Sequence, residues 1–352
     1  MREYEIGSNE AGQRLDKYLA KLLAQAPKSF FYKMLRKKNI LLNGKKATGK
    51  EKLDTGDRVK LFLSDETIEK FQKEEFERAE GNLDILYEDA NLLLVNKPAG
   101  MLSQKASPED VSLVEYIITY LLDSGQLKEE DLKTFRPSVC NRLDRNTSGI
   151  VAAGKTLAGL QELSALFHDR TVHKYYLCLS AGEIKSKKFI KGYLHKQEKC
   201  NKVIVSVRKM TDGVPIETEY EPLATNGRVT LLKVRLITGR THQIRSHLAS
   251  IGHPILGDGK YGDEAVNRRY RKEYGLKHQL LHAVKLELPK LEGAISSVSE
   301  MSFYAPVPGE FRRIVKGEAL GEKISDENKD IRRGLGLCED DHCCRSGSGA
   351  HQ

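Results

Sequence analysis

Asp144 is the residue of this 352-residue chain whose surroundings most suggest chemistry. It stands in NRLDRNTSG (141–149), between Arg142 and Arg145, ahead of short polar residues that favour a turn or cap over a strand interior. Further on, GRTHQIRSHL (239–248) spaces Arg240, His242, Arg245 and His247 among few apolar residues. The following GHPILGDGKYG (252–262) carries the glycines of tight, exposed turns. A lone carboxylate lacks the second acid of a glycosidase pair, and no Gly-x-Ser-x-Gly, Cys-His arrangement or phosphate loop accompanies it. His242, His247 and His253 match no standard zinc spacing, and their basic surroundings repel a dication. No metal and no cofactor is expected. What remains is an ionised aspartate beside a guanidinium, suited to act as a base or nucleophile.

The elements that must position these residues read as strands with a few helices. LDILYEDANLLLVNKPAG, from Leu83, gives two apolar strands flanking a polar turn at Glu88–Asn91. Ser112 to Leu122 reads as a helix and Lys128 to Thr134 as a charged loop or short helix. Gly149 to Gly154 is a buried strand, and Leu157 to Phe167 an amphipathic helix. Lys174 to Leu179, Lys202 to Lys209 and Val229 to Ile237 read as strands, and Ile244 to Ile251 as a helix. Without regular strand-helix alternation, the pattern predicts an α+β domain on a largely antiparallel mixed sheet. A small basic α/β domain precedes it.

Charge is distributed unevenly. Residues 1–63 hold fifteen Lys and Arg against seven Asp and Glu, a net of +8 out of +9 for the whole chain. Residues 64–82 hold three basic and seven acidic side chains, a net of −4, and read as an acidic linker or solvated helix. The basic segment patterns as two helices, the second running through Phe30, Phe31, Met34 and Leu35, with strands around an Asn43-Gly44 turn. Clustered Lys33, Arg36, Lys37, Lys38 and Lys45 point to a polyanion partner, because such clusters gain binding free energy by releasing counterions from phosphates. RNA is the expected ligand. No apolar run is long enough for a bilayer span, the first residues lack a signal peptide, and Cys140, Cys178 and Cys200 are scattered, so a reducing, cytoplasmic location is expected. From Lys316 onward, charge and glycine predict a disordered tail (316–352). Its Cys338, His342, Cys343 and Cys344 form a set too compressed to read as a zinc site.

Two family resemblances sharpen this. GQRLDKYLA, SFFYKMLRKKNILLNGK and LDTGDRV resemble the alpha-L RNA-binding domain, which implies a structured RNA ligand for residues 1–63. VNKPAG, NRLDRNTSG, KYYLCLSAG, LITGRTHQIRSHLASIGHPILGDGKYG and LLHAVKLELP, in that order, resemble the RluA-type pseudouridine synthases, with the synthase domain expected over 83–315. The resemblance implies an enzyme that flips uridine out of RNA and isomerises it, in a branch acting on large-subunit (23S) ribosomal RNA or its precursor. It assigns catalysis to Asp144, Tyr176 as the residue packing on the base, and Arg245 as the partner keeping Asp144 ionised. Arg142 would fill the space left by the flipped base. Arg240, Lys97 and Lys260 are expected on the RNA backbone. The enzyme is expected to act as a monomer. In NRLD, Asn141 stands where the family usually has His, so no proton is carried there. The rival reading is a noncatalytic RNA-binding or ribosome-assembly factor with the same fold.

Overall fold

The computed structural model describes residues 1–7, 9–72, 76–197, 202–209 and 211–336. Apolar residues at helical spacing fold the basic segment into α1 (Leu15–Leu22) and α2 (Lys28–Arg36). These pack on a sheet of β1 (Arg2–Glu5), β2 (Ile40–Leu42), β3 (Lys45–Lys46) and β4 (Arg58–Leu61), in the order β1-β4-β2-β3. Asn43 and Gly44 both take positive φ (49° and 74°), the conformation a tight hairpin between β2 and β3 demands. Leu15, Tyr18, Leu19, Phe31 and Leu35 fill the core, while Lys33, Arg36, Lys37, Lys38 and Lys45 are exposed.

The acidic segment is not wholly a linker. Ser64 caps α3 (Asp65–Phe71), whose Ile68 is fully buried in the same core. Two apolar residues in a strongly charged run suffice to dock one short helix.

The larger unit is a mixed sheet. Its strands are β5 (Ile85–Glu88), β6 (Leu92–Lys97), β7 (Ser138–Val139), β8 (Ser148–Gly154), β9 (His173–Ala181) and β10 (Lys188–Gln197). They continue with β11 (Lys202–Ser206), β12 (Val214–Thr225), β13 (Val229–Leu236), β14 (Leu281–Glu287) and β15 (Ser302–Tyr304). The order is β11-β10-β12-β13-β9-β14-β8-β6-β5, with β15 on β14 and β7 on β8. Among the described strands only β14 and β8 pair in parallel. Their close approach needs a glycine: Gly149 has φ +115°, and a Cβ there would lie 2.3 Å from the Ala283 carbonyl oxygen.

Strand alternation sends side chains to opposite faces. Val151 and Ala153 of β8, with Tyr176 and Cys178 of β9, join the core beneath α4 (Leu113–Asp123). Ile150 and Ala152 face the other way, toward Leu163 of α5 (Leu157–His168). Ile244 and Leu248 of α6 (Gln243–Ser250) also reach the first core. On the opposite face of β9, Leu177 and Leu179 meet Tyr270 of α7 (Glu264–Tyr274) and Phe311 of α8 (Gly309–Gly317).

The expected disorder from Lys316 is corrected over its first part. Residues to 336 fold, with α9 (Lys329–Gly334), and Leu320, Ile324, Ile331 and Leu335 are buried against that face. Cys338, His342, Cys343 and Cys344 lie outside the described residues. Among the described residues no helix is long and apolar enough to cross a membrane.

Two buried histidines tie the sheet to the elements around the site. His282 lies between Ser148 Oγ (2.9 Å) and the Ala305 carbonyl (3.3 Å), and His247 Nδ1 meets Thr218 Oγ1 at 3.0 Å. Burial pushes both down to about 4. Between pH 6.5 and 4 the unfolded chain therefore takes up protons that the folded chain refuses, and stability falls as pH falls through that window. Thermal unfolding at pH 7, 5.5 and 4.5 should show a declining midpoint; the decline should become shallower in His282→Gln, and an unchanged slope would contradict this assignment.

Candidate active site

The loop from Asn141 to Thr147 is held from all sides by short polar contacts. Ser103 Oγ donates to the Leu143 carbonyl (2.9 Å) and accepts the Leu143 N–H (3.0 Å). Gln279 Nε2 donates to Thr147 Oγ1 at 2.7 Å. Asn141 accepts the Ala152 N–H (2.8 Å) and donates to the Ile150 carbonyl (3.2 Å), so both ends of its amide serve the β8 backbone. Such a clamped loop can hold a reactive side chain in one geometry.

Lys97 corrects one expectation. It is fully buried, and its ammonium donates to the carbonyls of Pro98 (2.9 Å), Met101 (2.8 Å) and Arg145 (3.2 Å), so it cannot reach a phosphate. Burial pushes it down to about 7, against the attraction of nearby Asp144. Lys97 ties the end of β6 to the Asp144 loop.

Asp144 and Arg245, distant in sequence, meet here. Arg245 Nη1 donates to Asp144 Oδ2 at 2.7 Å. The rest of the guanidinium is gripped by Asp258, Nε to Oδ2 at 2.7 Å and Nη2 to Oδ1 at 2.9 Å. The Asp258 side chain has no exposure, whereas that of Asp144 is 25% exposed. Burial alone would lower Arg245 and raise Asp258, but their mutual hydrogen bonds and charge outweigh it, leaving the arginine raised and Asp258 lowered. Asp258 also accepts the N–H groups of Lys260 (2.8 Å) and Tyr261 (3.1 Å). Gly262 closes the turn, since a Cβ there would stand 2.2 Å from the Asp258 carbonyl oxygen.

The Asp144 carboxylate opens on a cleft of about 1180 Å³. Arg142, Arg170, Lys174, Arg240 and Lys260 line it, and Asp144 is the one carboxylate among its described lining residues. Arg142 and Arg240 are exposed. A basic cleft with one anion at its floor attracts a polyanion while keeping a single reactive negative charge. Among the described residues, no cluster of three or more His, Cys, Asp and Glu is arranged to hold a metal ion.

Tyr176 is not among the residues that line the cleft, although the charge of Asp144 reaches it. It is 6% exposed and packed in the core, and its hydroxyl has no hydrogen-bond partner among the described residues. Burial, then the charge of Asp144, push its phenol up, so it is neutral at physiological pH. Tyr175 faces the other side and bonds Glu287 at 3.1 Å. Strand alternation thus separates the two adjacent tyrosines.

Asp258, Gln279 and Ser103 carry no role in the sequence reading, and His242, considered there only against a zinc spacing, lines the cleft. For Asp258 one signal existed: an acid between two glycines, in a turn that would otherwise have no reason to carry charge.

The chain is similar to known proteins along most of its length. The RNA pseudouridylate synthase family model matches residues 91–250, and the S4 domain model matches residues 13–59. Ribosomal large subunit pseudouridine synthase C of Vibrio vulnificus is 33% identical over 326 residues, spanning 89% of this chain and 95% of its own. The protein of the same name from Pasteurella multocida is 32% identical, over 88% of this chain and 91% of its own. The solved structure of human RNA pseudouridylate synthase domain containing 4 shares the fold, with a TM-score of 0.54 and 23% identity over 67% of this chain and 93% of that one. With relatives this similar along nearly their whole length, and a paired Asp and Arg at the floor of a basic cleft, the chain belongs to the RNA pseudouridine synthase family and carries an S4 domain ahead of its synthase fold.

Proposed function

We propose that this enzyme isomerises uridines of large-subunit ribosomal RNA, working as a cytoplasmic monomer, with Asp144, Arg245 and Tyr176 at the reacting nucleotide. The observation that carries the reading is the buried Asp258–Arg245–Asp144 chain opening on the basic cleft. Isomerisation breaks the ribose C1′–N1 bond, turns the uracil, and forms C1′–C5. The C5 proton is removed and N1 gains one, so the reaction is redox-neutral and needs no outside energy. Asp144 acts as base toward the ribose or as nucleophile toward sugar or base. Arg245, itself anchored by Asp258, aims the carboxylate. Tyr176, which feels the charge of Asp144 from the core, would pack on the base once the nucleotide is bound.

The target must leave its helix to reach Asp144, at about a few kcal/mol of unstacking. Exposed Arg142 at the cleft rim is placed to enter the gap, and Arg240 and Lys260 to hold flanking phosphates. On the S4 domain, Lys33, Arg36, Lys37, Lys38 and Lys45 form no ion pair among the described residues, so their charge is available to RNA. The names of the relatives favour large-subunit ribosomal RNA over other RNAs.

Purified protein incubated with unmodified transcripts of large-subunit RNA, small-subunit RNA and a transfer RNA set, then mapped by carbodiimide-stop primer extension, tests the substrate. Pseudouridine at discrete positions of the large-subunit transcript is expected. Modification confined to transfer RNA would overturn the substrate assignment, and none in any transcript would favour the noncatalytic reading.

A further inference from the structure

His242 lines the cleft in a left-handed backbone conformation, with φ 54° and ψ 18° at the N-cap of α6; of the other lining residues Arg170 shares a positive φ, at 62°. A non-glycine residue is strained there, and such strain persists where the surrounding structure demands it. The ring is fixed. Its Nδ1 lies 2.9 Å from Tyr261 Oη, and the two rings meet edge-on with centroids 5.6 Å apart.

The hydrogen-bond count sets the tautomer. Tyr261 Oη already accepts the Val203 N–H at 2.9 Å, and its own proton has no other partner than His242 Nδ1 among the described residues. With the Tyr261 proton donated to Nδ1, the imidazole proton is assigned to Nε2. Nε2 has no partner among the described residues and is not sealed from solvent, and the ring borders the cleft beside Asp144 and Arg245. An N–H so assigned borders the cleft that holds Asp144 and has no acceptor among the described residues.

We propose that His242 Nε2–H donates to a carbonyl oxygen of the flipped uracil and positions that base during isomerisation. The inference rests on the uridine-isomerising reading of the cleft. Cytosine shares the O2 carbonyl but carries an amino group in place of O4, so the donor selects uracil where it meets O4. When the C1′–N1 bond breaks, the base leaves with the bonding electron pair and its carbonyl oxygens become more negative. A donor fixed in advance then binds more strongly than it did in the ground state.

Three substitutions separate this role from a scaffold role. His242→Gln keeps an N–H near the Nε2 position and gives up the fit to Tyr261. His242→Asn reaches only the Nδ1 position, but it tolerates the left-handed backbone and can still serve Tyr261. His242→Gly relieves the strain and has no donor. Single-turnover rates would be read on the large-subunit transcript with full-length protein, alongside transcript affinity and melting temperature. His242→Asn and His242→Gly should lose about 10²-fold in rate, with RNA affinity and melting temperature near wild type, and His242→Gln should stay within about 5-fold. A wild-type rate in His242→Gly, or rescue by Asn and not by Gln, would overturn the proposal, as would a rate loss matched by lost affinity. If the wild-type protein formed no pseudouridine in any transcript, the reading of the cleft itself would fall, an outcome distinct from the failure of His242 alone.

Discussion

Asp144→Asn is expected to abolish turnover, by on the order of 10⁴-fold or more, while the protein folds and binds RNA as before. The substitution keeps the shape of the side chain and an oxygen able to accept from Arg245 Nη1, now 2.7 Å away. Arg245 retains both bonds to Asp258, so no buried cation is orphaned. What disappears is the negative charge and the basicity at the cleft floor, which no other described carboxylate lining the cleft can replace. Single-turnover conversion and equilibrium binding to the same transcript measure the two quantities separately. Parallel loss of both would mean that Asp144 serves binding or folding.

Asp258→Asn is expected to have the next largest effect, although it does not face the substrate. An amide can accept from only one guanidinium nitrogen, so the two-pronged grip at 2.7 and 2.9 Å is lost and Arg245 is left under-compensated in a buried site. Breaking such a pair costs about 3 kcal/mol of stability, and loosening Arg245 should reduce kcat by about 10²-fold. An amide oxygen in place of Oδ1 still accepts the Lys260 and Tyr261 N–H groups, so the loss in Asp258→Asn runs through Arg245 on Asp144 and should vanish when Asp144 is already neutral: Asp144→Asn with Asp258→Asn should be no slower than Asp144→Asn alone. A KM-only effect, or full additivity in rate, would show that Asp258 works elsewhere.

The sequence disclosed the larger elements well, for physical reasons. β8 is an unbroken buried run of small and apolar residues, and α5 carries a helical repeat, so burial and period agree there. The pairing of Asp144 with Arg245 was legible only through family resemblance, because nothing in spacing brings a loop after β7 against a helix after β13. Tyr176 was separable from Tyr175 by strand alternation once β9 was placed.

Other features depend on surfaces built elsewhere in the chain. Lys97 looks like any lysine until three carbonyls from two loops converge on it. Leu320, Ile324, Ile331 and Leu335 form a sparse stripe hidden by the charge around it, and they fold because the face bearing Leu177, Leu179 and Leu231 awaits cover. Ile68 behaves likewise in the acidic segment.

The central claim is that one carboxylate, aimed by a doubly anchored arginine, isomerises uridine in ribosomal RNA. Its most direct test is pseudouridine mapping of ribosomal RNA from cells lacking this protein, complemented with the wild type or with Asp144→Asn. The account predicts that discrete large-subunit positions lose pseudouridine, regain it with the wild type, and stay unmodified with Asp144→Asn. Restoration by Asp144→Asn, or an unchanged pseudouridine map in the deletion, would contradict it.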